Sequence, residues 1–313
     1  MTLAFLFPGQ GAQTIGMGRD LAEAYGAARA VFDAVDEALG ERLSALIWDG
    51  DIETLTLTRN AQPALMATSM AAMAALEAEG VEVTDAAFVA GHSLGEYSAL
   101  CAAKALTPGD AARLLRLRGD AMQAAVPAGE GAMAAILGLD IDTVTDLAAE
   151  AAGAEVCAAA NDNDPAQVVV SGHADAVGRA VEIAKGRGAK RAVMLPVSAP
   201  FHCALMQPAA DAMAEALADV AIAAPVVPLV GNVTARPETD PAAIREALVA
   251  QVTGRVRWRE SVAWMAGAGV TETWEIGAGK ALSGMVRRID KALAVRAVGS
   301  AEDVRAAAAA HAG

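Results

Sequence analysis

The chain is short of positive charge. Its 313 residues carry 24 Lys and Arg against 38 Asp and Glu, a formal net charge of −14. Such a balance excludes general binding to nucleic acid or to an anionic membrane, because both need a positive field. It leaves open a small anionic substrate, since one well-placed arginine overrides the global sign. Cysteine is scarce: only Cys101, Cys157 and Cys203 occur, far apart and odd in number. They form no disulfide framework and no C-x-x-C zinc pair, and read as buried, inert thiols. Aromatic residues make up 4% of the chain, so few large rings anchor its core. No long apolar run is present. Leu65 to Leu76 is the longest apolar helical stretch, too short for a bilayer and interrupted by Thr68 and Ser69. No basic segment precedes Leu3 to Phe7, which is too short for a signal sequence. A cytoplasmic protein with no membrane and no nucleic-acid partner is expected.

What is present is alanine and glycine in quantity, with 55% apolar and 20% charged residues, an ordinary balance for a folded enzyme. Leu3–Phe7, stopped by Pro8-Gly9, reads as a buried strand, and so does Ala86–Ala90. Helical patterns cover Ala28–Leu39, Pro63–Glu79 and Ser93–Lys104. Thr107 caps another helix that has Pro108 at its first position. Strand and helix alternating over short connections predict an α/β-hydrolase-like domain with a mostly parallel sheet. From Gly131 the rhythm changes. Met133–Leu137, Ile141–Ala152, Val156–Ala160, Gln167–Val170, Ala174–Lys185 and Lys190–Leu195 follow the β-α-β-β-α-β order of a ferredoxin-like unit. Residues 128–199 are therefore expected to form an inserted subdomain, with residues 1–127 and 200–313 forming the large catalytic domain. Pro127-Ala128-Gly129 and Pro196 to Pro200 bracket the insert as candidate hinges. The α/β rhythm then resumes with Leu205–Leu217, Val226–Val230, helices from Pro241 and Trp258, and Thr273–Ile276. Ala306–Ala310 reads as a frayed terminal helix.

Gly91-His92-Ser93-Leu94-Gly95 carries the chemistry. It matches G-x-S-x-G between a strand and an alanine-rich helix, the setting in which a sharp turn exposes a nucleophilic serine. An accidental Gly/Ser turn is the bland alternative, and the strand–turn–helix context weighs against it. The helix N-terminus below Ser93 offers free N–H groups, with that of Leu94 the natural first oxyanion donor. A serine needs a base, and only His92, His173, His202 and His311 exist. His311 lies in the tail, His173 follows Ser171-Gly172 in what reads as a solvent turn, and His92 points away from its neighbour at such an elbow. Elimination favours His202, without excluding that no histidine is catalytic. Arg113, Arg116 and Arg118 read, by themselves, as a solvated basic helix face. Asn161-Asp162-Asn163-Asp164-Pro165 lacks the spaced ligands of a calcium loop and reads as a turn. Gly9, Gly11 and Gly16 are misplaced for a dinucleotide loop.

Phe7-Pro8-Gly9-Gln10-Gly11-Ala12-Gln13, Gly91-His92-Ser93-Leu94-Gly95-Glu96, Phe201-His202 and Glu275-Ile276-Gly277-Ala278-Gly279-Lys280 occur in one order. Together they closely resemble the malonyl-CoA:acyl-carrier-protein transacylases of bacterial type II fatty-acid synthesis, over essentially the whole chain. The resemblance implies that Ser93 accepts the acyl group and His202 is its base. A backbone carbonyl near Gln251 would orient the histidine, and Gln10 and Leu94 would supply the oxyanion-hole N–H groups. It singles out Arg118 as the holder of a malonyl carboxylate, against the solvated-face reading. It places Asn161 at the mouth of the cleft, and Phe201 where methylmalonyl-selecting relatives carry a smaller residue. It further implies malonyl-CoA and acyl carrier protein as partners, no metal or redox cofactor, and a monomer. A polyketide-synthase acyltransferase, a malonate-decarboxylase accessory transferase and a serine thioesterase remain alternatives on sequence alone.

Overall fold

The computed structural model describes residues 2–127, 129–197 and 199–313. Ala128 and Ser198, which fall in the two candidate hinges, lie outside the described residues. The strands run in order β1 (Leu3–Phe7), β2 (Ala86–Gly91), β3 (Gly131–Leu137), β4 (Cys157–Asp164), β5 (Gln167–His173), β6 (Arg191–Met194), β7 (Leu229–Val230), β8 (Pro237–Glu238), β9 (Glu272–Ile276) and β10 (Ala294–Val298). A six-stranded sheet has the order β10-β9-β1-β2-β7-β8. Its pairs are parallel except β7 with β8.

Parallel neighbours need crossover segments, and those segments cover both faces of the sheet. The central strand β1 shows the result. All of its residues are buried. Phe5 and Phe7 enter the main core with Leu21, Phe32 and Leu65, whereas Ala4 and Leu6 enter a second core with Trp258, Val262 and Leu282. A continuous apolar run is what two covered faces require.

The second sheet has the order β4-β5-β3-β6 with antiparallel pairs throughout. Helices Ile141–Ala152 and Ala174–Gly186 pack on one face through Val144, Leu147, Val177 and Val181. Met133, Ala135, Ala160 and Val169 on the other face join the main core. The molecule is thus an α/β protein with a mostly parallel sheet and an inserted ferredoxin-like unit.

Several elements depart from the sequence-based expectation. β4 does not stop at Ala160 but runs through the polar stretch Asn161–Asp164. Tertiary pairing overrides the turn chemistry there. The Asp162 N–H donates to Val256 O and the Val256 N–H to Ala160 O, both at 2.9 Å. The buried carboxylates pair with cations across from them: Asp162 with Arg259 at 2.8 Å and Asp164 with Arg288 at 2.7 Å. His173 ends β5 instead of sitting in a solvent turn, and its Nδ1 accepts from the Val156 N–H at 2.9 Å. The terminal helix is not frayed. It spans Ala301–His311, opens with a reciprocal Ser300–Asp303 capping box and buries Val304, Ala307 and Ala308. The helix expected from Pro63 begins at Thr58 and carries Pro63 inside it. The helix expected from Ser93 begins at Gly95, and β7 shortens to Leu229–Val230. Among the described residues no helix is long and apolar enough to cross a membrane.

Candidate active site

β2 delivers the chain to the elbow. The His92 N–H donates to Phe7 O at 3.0 Å, extending the β1–β2 pairing by one residue. Ser93 then adopts φ 54°, and helix Gly95–Ala102 begins two residues later. Left-handed backbone at a non-glycine residue is strained and needs surroundings that enforce it. Two features do so. A Cβ on Gly91 would lie 1.9 Å from the Gly95 carbonyl oxygen, and one on Gly95 would lie 2.3 Å from Phe7 O, so the turn closes only around bare glycines. Asn232 straps the bend: its Nδ2 donates to Gly91 O at 2.6 Å and its Oδ1 accepts from the Ser93 N–H at 2.7 Å.

Ser93 Oγ lies 2.8 Å from His202 Nε2, and His202 Nδ1 lies 2.8 Å from Gln251 O. A carbonyl can only accept, so Nδ1 carries the proton and Nε2 presents its lone pair to the serine hydroxyl. His202 also sits in the left-handed region, at φ 59°. Burial, reinforced by the Arg118 charge, pushes its imidazole down to about 3, so the ring is neutral near pH 7. A neutral imidazole against a serine hydroxyl is a base ready for use.

Arg118 is 1% exposed on helix Pro108–Ala124. Its Nη1 donates to Gln62 Oε1 at 2.7 Å, and its Nη2 to Gln251 Oε1 at 2.7 Å and to Ser93 Oγ at 3.1 Å. Its Nε has no hydrogen-bond partner among the described residues. The other two arginines of this helix have acidic partners, Arg113 with Asp110 at 2.6 Å and Arg116 with Glu41. Arg118 alone of the three has only neutral ones. Burial lowers its pKa, but a guanidinium keeps its proton even so. The site therefore holds a desolvated cation whose local partners are two amides and the nucleophile.

These groups line a cleft of about 480 Å³ between the two sheets. Gln10, Leu94, Asn161 and Phe201 line it too. Gln10 is exposed at its mouth, whereas Asn161 is 6% and Phe201 9% exposed. The N–H groups of Gln10 and Leu94 donate to no partner among the described residues. His92 points to the far wall, where its Nε2 meets Asn163 Oδ1 at 2.9 Å, and burial lowers its pKa. His311 lies at Asp85, 3.3 Å away, and His173 at Val156. All three cysteines are buried and free. Among the described residues no group of three or more His, Cys, Asp or Glu side chains is placed to hold a metal ion.

The sequence reading missed the residues behind this constellation. Gln62, Asn163 and Asn232 are polar side chains without a motif, although Gln62 stands out as a polar residue within an apolar helix. Glu96, directly after the elbow, is buried and pushed up to about 7 by that burial. It accepts from the Asn232 N–H at 2.7 Å and from Gln251 Nε2.

Residues 4–270 match the family model described as acyl transferase domain, which makes the chain an acyltransferase. It is 48% identical to the malonyl CoA-acyl carrier protein transacylase of Bacillus subtilis, over 97% of this chain and 96% of that one. The crystal structure of the acyl-carrier-protein-S-malonyltransferase of Bartonella henselae superposes with a TM-score of 0.98 at 55% identity, covering 100% of both chains. A malonyl-transacylase solved in complex with its type II PKS acyl-carrier protein has a TM-score of 0.96 at 41% identity, covering 99% of this chain and 100% of that chain. The chain belongs to the malonyl CoA-acyl carrier protein transacylase family.

Proposed function

We propose that this enzyme moves a malonyl group from malonyl-CoA to the phosphopantetheine thiol of an acyl carrier protein, in fatty-acid biosynthesis, through an ester on Ser93. The observation that carries the reading is Arg118. A buried guanidinium with neutral partners, 3.1 Å from Ser93 Oγ, suits an acyl group bearing its own carboxylate. In the first half-reaction His202 Nε2 takes the Ser93 proton as Oγ attacks the thioester carbonyl. The Gln10 and Leu94 N–H groups hold the oxyanion, and Gln251 O stabilises the imidazolium through Nδ1. The tetrahedral intermediate collapses, His202 returns the proton to sulfur, and coenzyme A leaves as a thiol. In the second half-reaction the carrier thiol gives its proton to His202 and attacks the ester; the proton returns to Ser93 Oγ as the C–O bond breaks. Ser93 and His202 carry both proton transfers, so the scheme calls for no metal or redox cofactor.

Asn161 contacts substrate at the cleft wall in this reading, and Phe201 limits branching next to the carbonyl. The division into a catalytic domain of residues 1–127 and 200–313 and a subdomain of residues 128–199, a cytoplasmic setting and a monomeric state belong to the same proposal. Intact-protein mass measurement after incubation with malonyl-, methylmalonyl- and acetyl-CoA tests it. One malonyl adduct should dominate, and Phe201→Ser should raise the methylmalonyl share. A wild-type enzyme that takes up acetyl as readily as malonyl would refute the reading. A polyketide carrier as acceptor is the second reading, supported by the 41% identical transacylase bound to one.

An acidic chain must meet an acidic carrier through a local basic patch. Lys185 pairs with Glu182 at 2.6 Å, Arg187 with Glu150, and Arg288 with Asp164. Lys190 and Arg191, at edge strand β6, have no acidic partner within ion-pair distance among the described residues, and Arg191 is exposed. Charge reversal at both is expected to slow transfer to the carrier by about tenfold while leaving self-malonylation unchanged. Equal effects on the two half-reactions would place the docking surface elsewhere.

A further inference from the structure

Behind the nucleophile lies a hydrogen-bond relay that the transfer chemistry itself does not use. Glu96 is 1% exposed. Its Oε1 accepts from the Asn232 N–H at 2.7 Å, and its Oε2 accepts from Gln251 Nε2. Gln251 Nε2 also donates to Ser93 O at 2.9 Å. With Glu96 ionised, both hydrogens of the Gln251 amide are thus directed at groups that can only accept. Turning the amide over would set Oε1 against two oxygens and point the NH₂ at a guanidinium, which has no acceptor to offer. Gln251 Oε1 is therefore committed to Arg118 Nη2, 2.7 Å away.

The arrangement also keeps two charges apart. A carboxylate in direct contact with Arg118 would satisfy it and compete with any anionic ligand. Glu96 reaches Arg118 only through a neutral amide, so it orients the guanidinium without neutralising it at the contact. The Gln251 backbone carbonyl meanwhile holds His202 Nδ1. One residue connects the buried acid, the cation and the base.

We propose that Glu96 is a positioning residue for acyl-group selectivity, aiming Arg118 at the substrate carboxylate through the Gln251 amide. The inference rests on the malonyl reading above. Its test is Glu96→Gln, because the Asn232 N–H and Gln251 Nε2 meet two different carboxylate oxygens and an amide keeps an acceptor at only one of those places. One of the two donors must then face an NH₂, and the Gln251 amide is released to turn.

The readout is the ratio of malonyl to acetyl acylation rates at Ser93, followed by intact mass, with a melting curve to confirm folding. The ratio is expected to fall by about tenfold in Glu96→Gln. In an Arg118→Ala background the same substitution should leave the ratio unchanged, because the relay then ends on nothing. Glu96→Asp keeps the charge but withdraws it by one methylene, and a smaller fall is expected. If the glutamine variant does not fold, the aspartate variant decides by the same measurement. A wild-type ratio in a folded variant overturns the inference, as does an equal fall with Arg118 absent. A wild-type enzyme with no malonyl preference would instead overturn the reading on which the inference rests.

Discussion

Arg118→Ala is expected to reduce the preference of Ser93 acylation for malonyl-CoA over acetyl-CoA by roughly 10³-fold. The guanidinium is 1% exposed and its partners are Gln62, Gln251 and the serine itself. A malonyl carboxylate entering this site gives up its hydration and regains it only through charge-assisted hydrogen bonds to the guanidinium. An acetyl group offers nothing in return and leaves the cation buried and unpaired, which is itself costly. Removing the cation strips the malonyl group of its partner and lifts the penalty on acetyl, so both rates move the ratio in one direction. The same burial predicts an opposite effect on stability. A desolvated charge without an ionic partner destabilises the fold, and a well-packed apolar replacement relieves that. Arg118→Met is therefore expected to raise the melting temperature, by about 1–2 °C per kcal/mol recovered. A variant that loses both selectivity and stability would show that the Arg118 hydrogen bonds to Gln62 and Gln251 hold the fold. Kinetics with the two thioesters and a thermal melt decide it.

His202→Ala is expected to slow acylation of Ser93 by about 10³-fold or more, with substrate binding little changed. Its Nε2 lies 2.8 Å from Ser93 Oγ and its Nδ1 2.8 Å from Gln251 O, so its loss removes the only base in contact with the hydroxyl among the described residues. The third member here is a backbone carbonyl, which orients the ring and cannot be protonated in competition with it. Stability carries a second signature. The folded imidazole sits near 3 against an ordinary value of 6.5, so the unfolded state binds a proton that the native state refuses. That contribution is neutral above pH 6.5 and costs stability increasingly as pH falls from 6.5 toward 3. His202→Ala lacks this group, and its stability is expected to decline less steeply across that window. Parallel declines in urea melts at stepped pH would show that His202 is protonated in the native state.

Much of this site was legible before the structure because its chemistry depends on local sequence. Gly91 and Gly95 are demanded by contacts of 1.9 and 2.3 Å across one turn, and such a turn announces itself in five residues. The insert was legible because β-α-β-β-α-β is a local rhythm. The arrangement around Asn161–Asp164 was not, since its strand character comes from Val256, Arg259 and Arg288, far along the chain. Asn232 and Gln62 share that limitation: neither sits in a recognisable pattern, and each acquires its role from a partner distant in sequence. Arg118 stands between the two cases. By residue type it groups with Arg113 and Arg116, but it stands two positions from Arg116, on the opposite side of the helix, in the buried stripe with Ala111, Leu115 and Met122. The glutamate after the elbow was in plain view, but its contact with Gln251 spans the length of the domain.

The central claim is that a malonyl-serine is formed and waits for a thiol. Wild-type enzyme should be incubated with malonyl-CoA, freed of coenzyme A by rapid desalting, and its intact mass recorded with and without the carrier protein bearing its phosphopantetheine arm. A single malonyl adduct is predicted, mapped by peptide analysis to Ser93 and absent from Ser93→Ala. It should persist in buffer and vanish on addition of the carrier as the carrier gains the same mass. An adduct that forms in Ser93→Ala, or one that decays to free malonate as fast without the carrier as with it, would contradict the account.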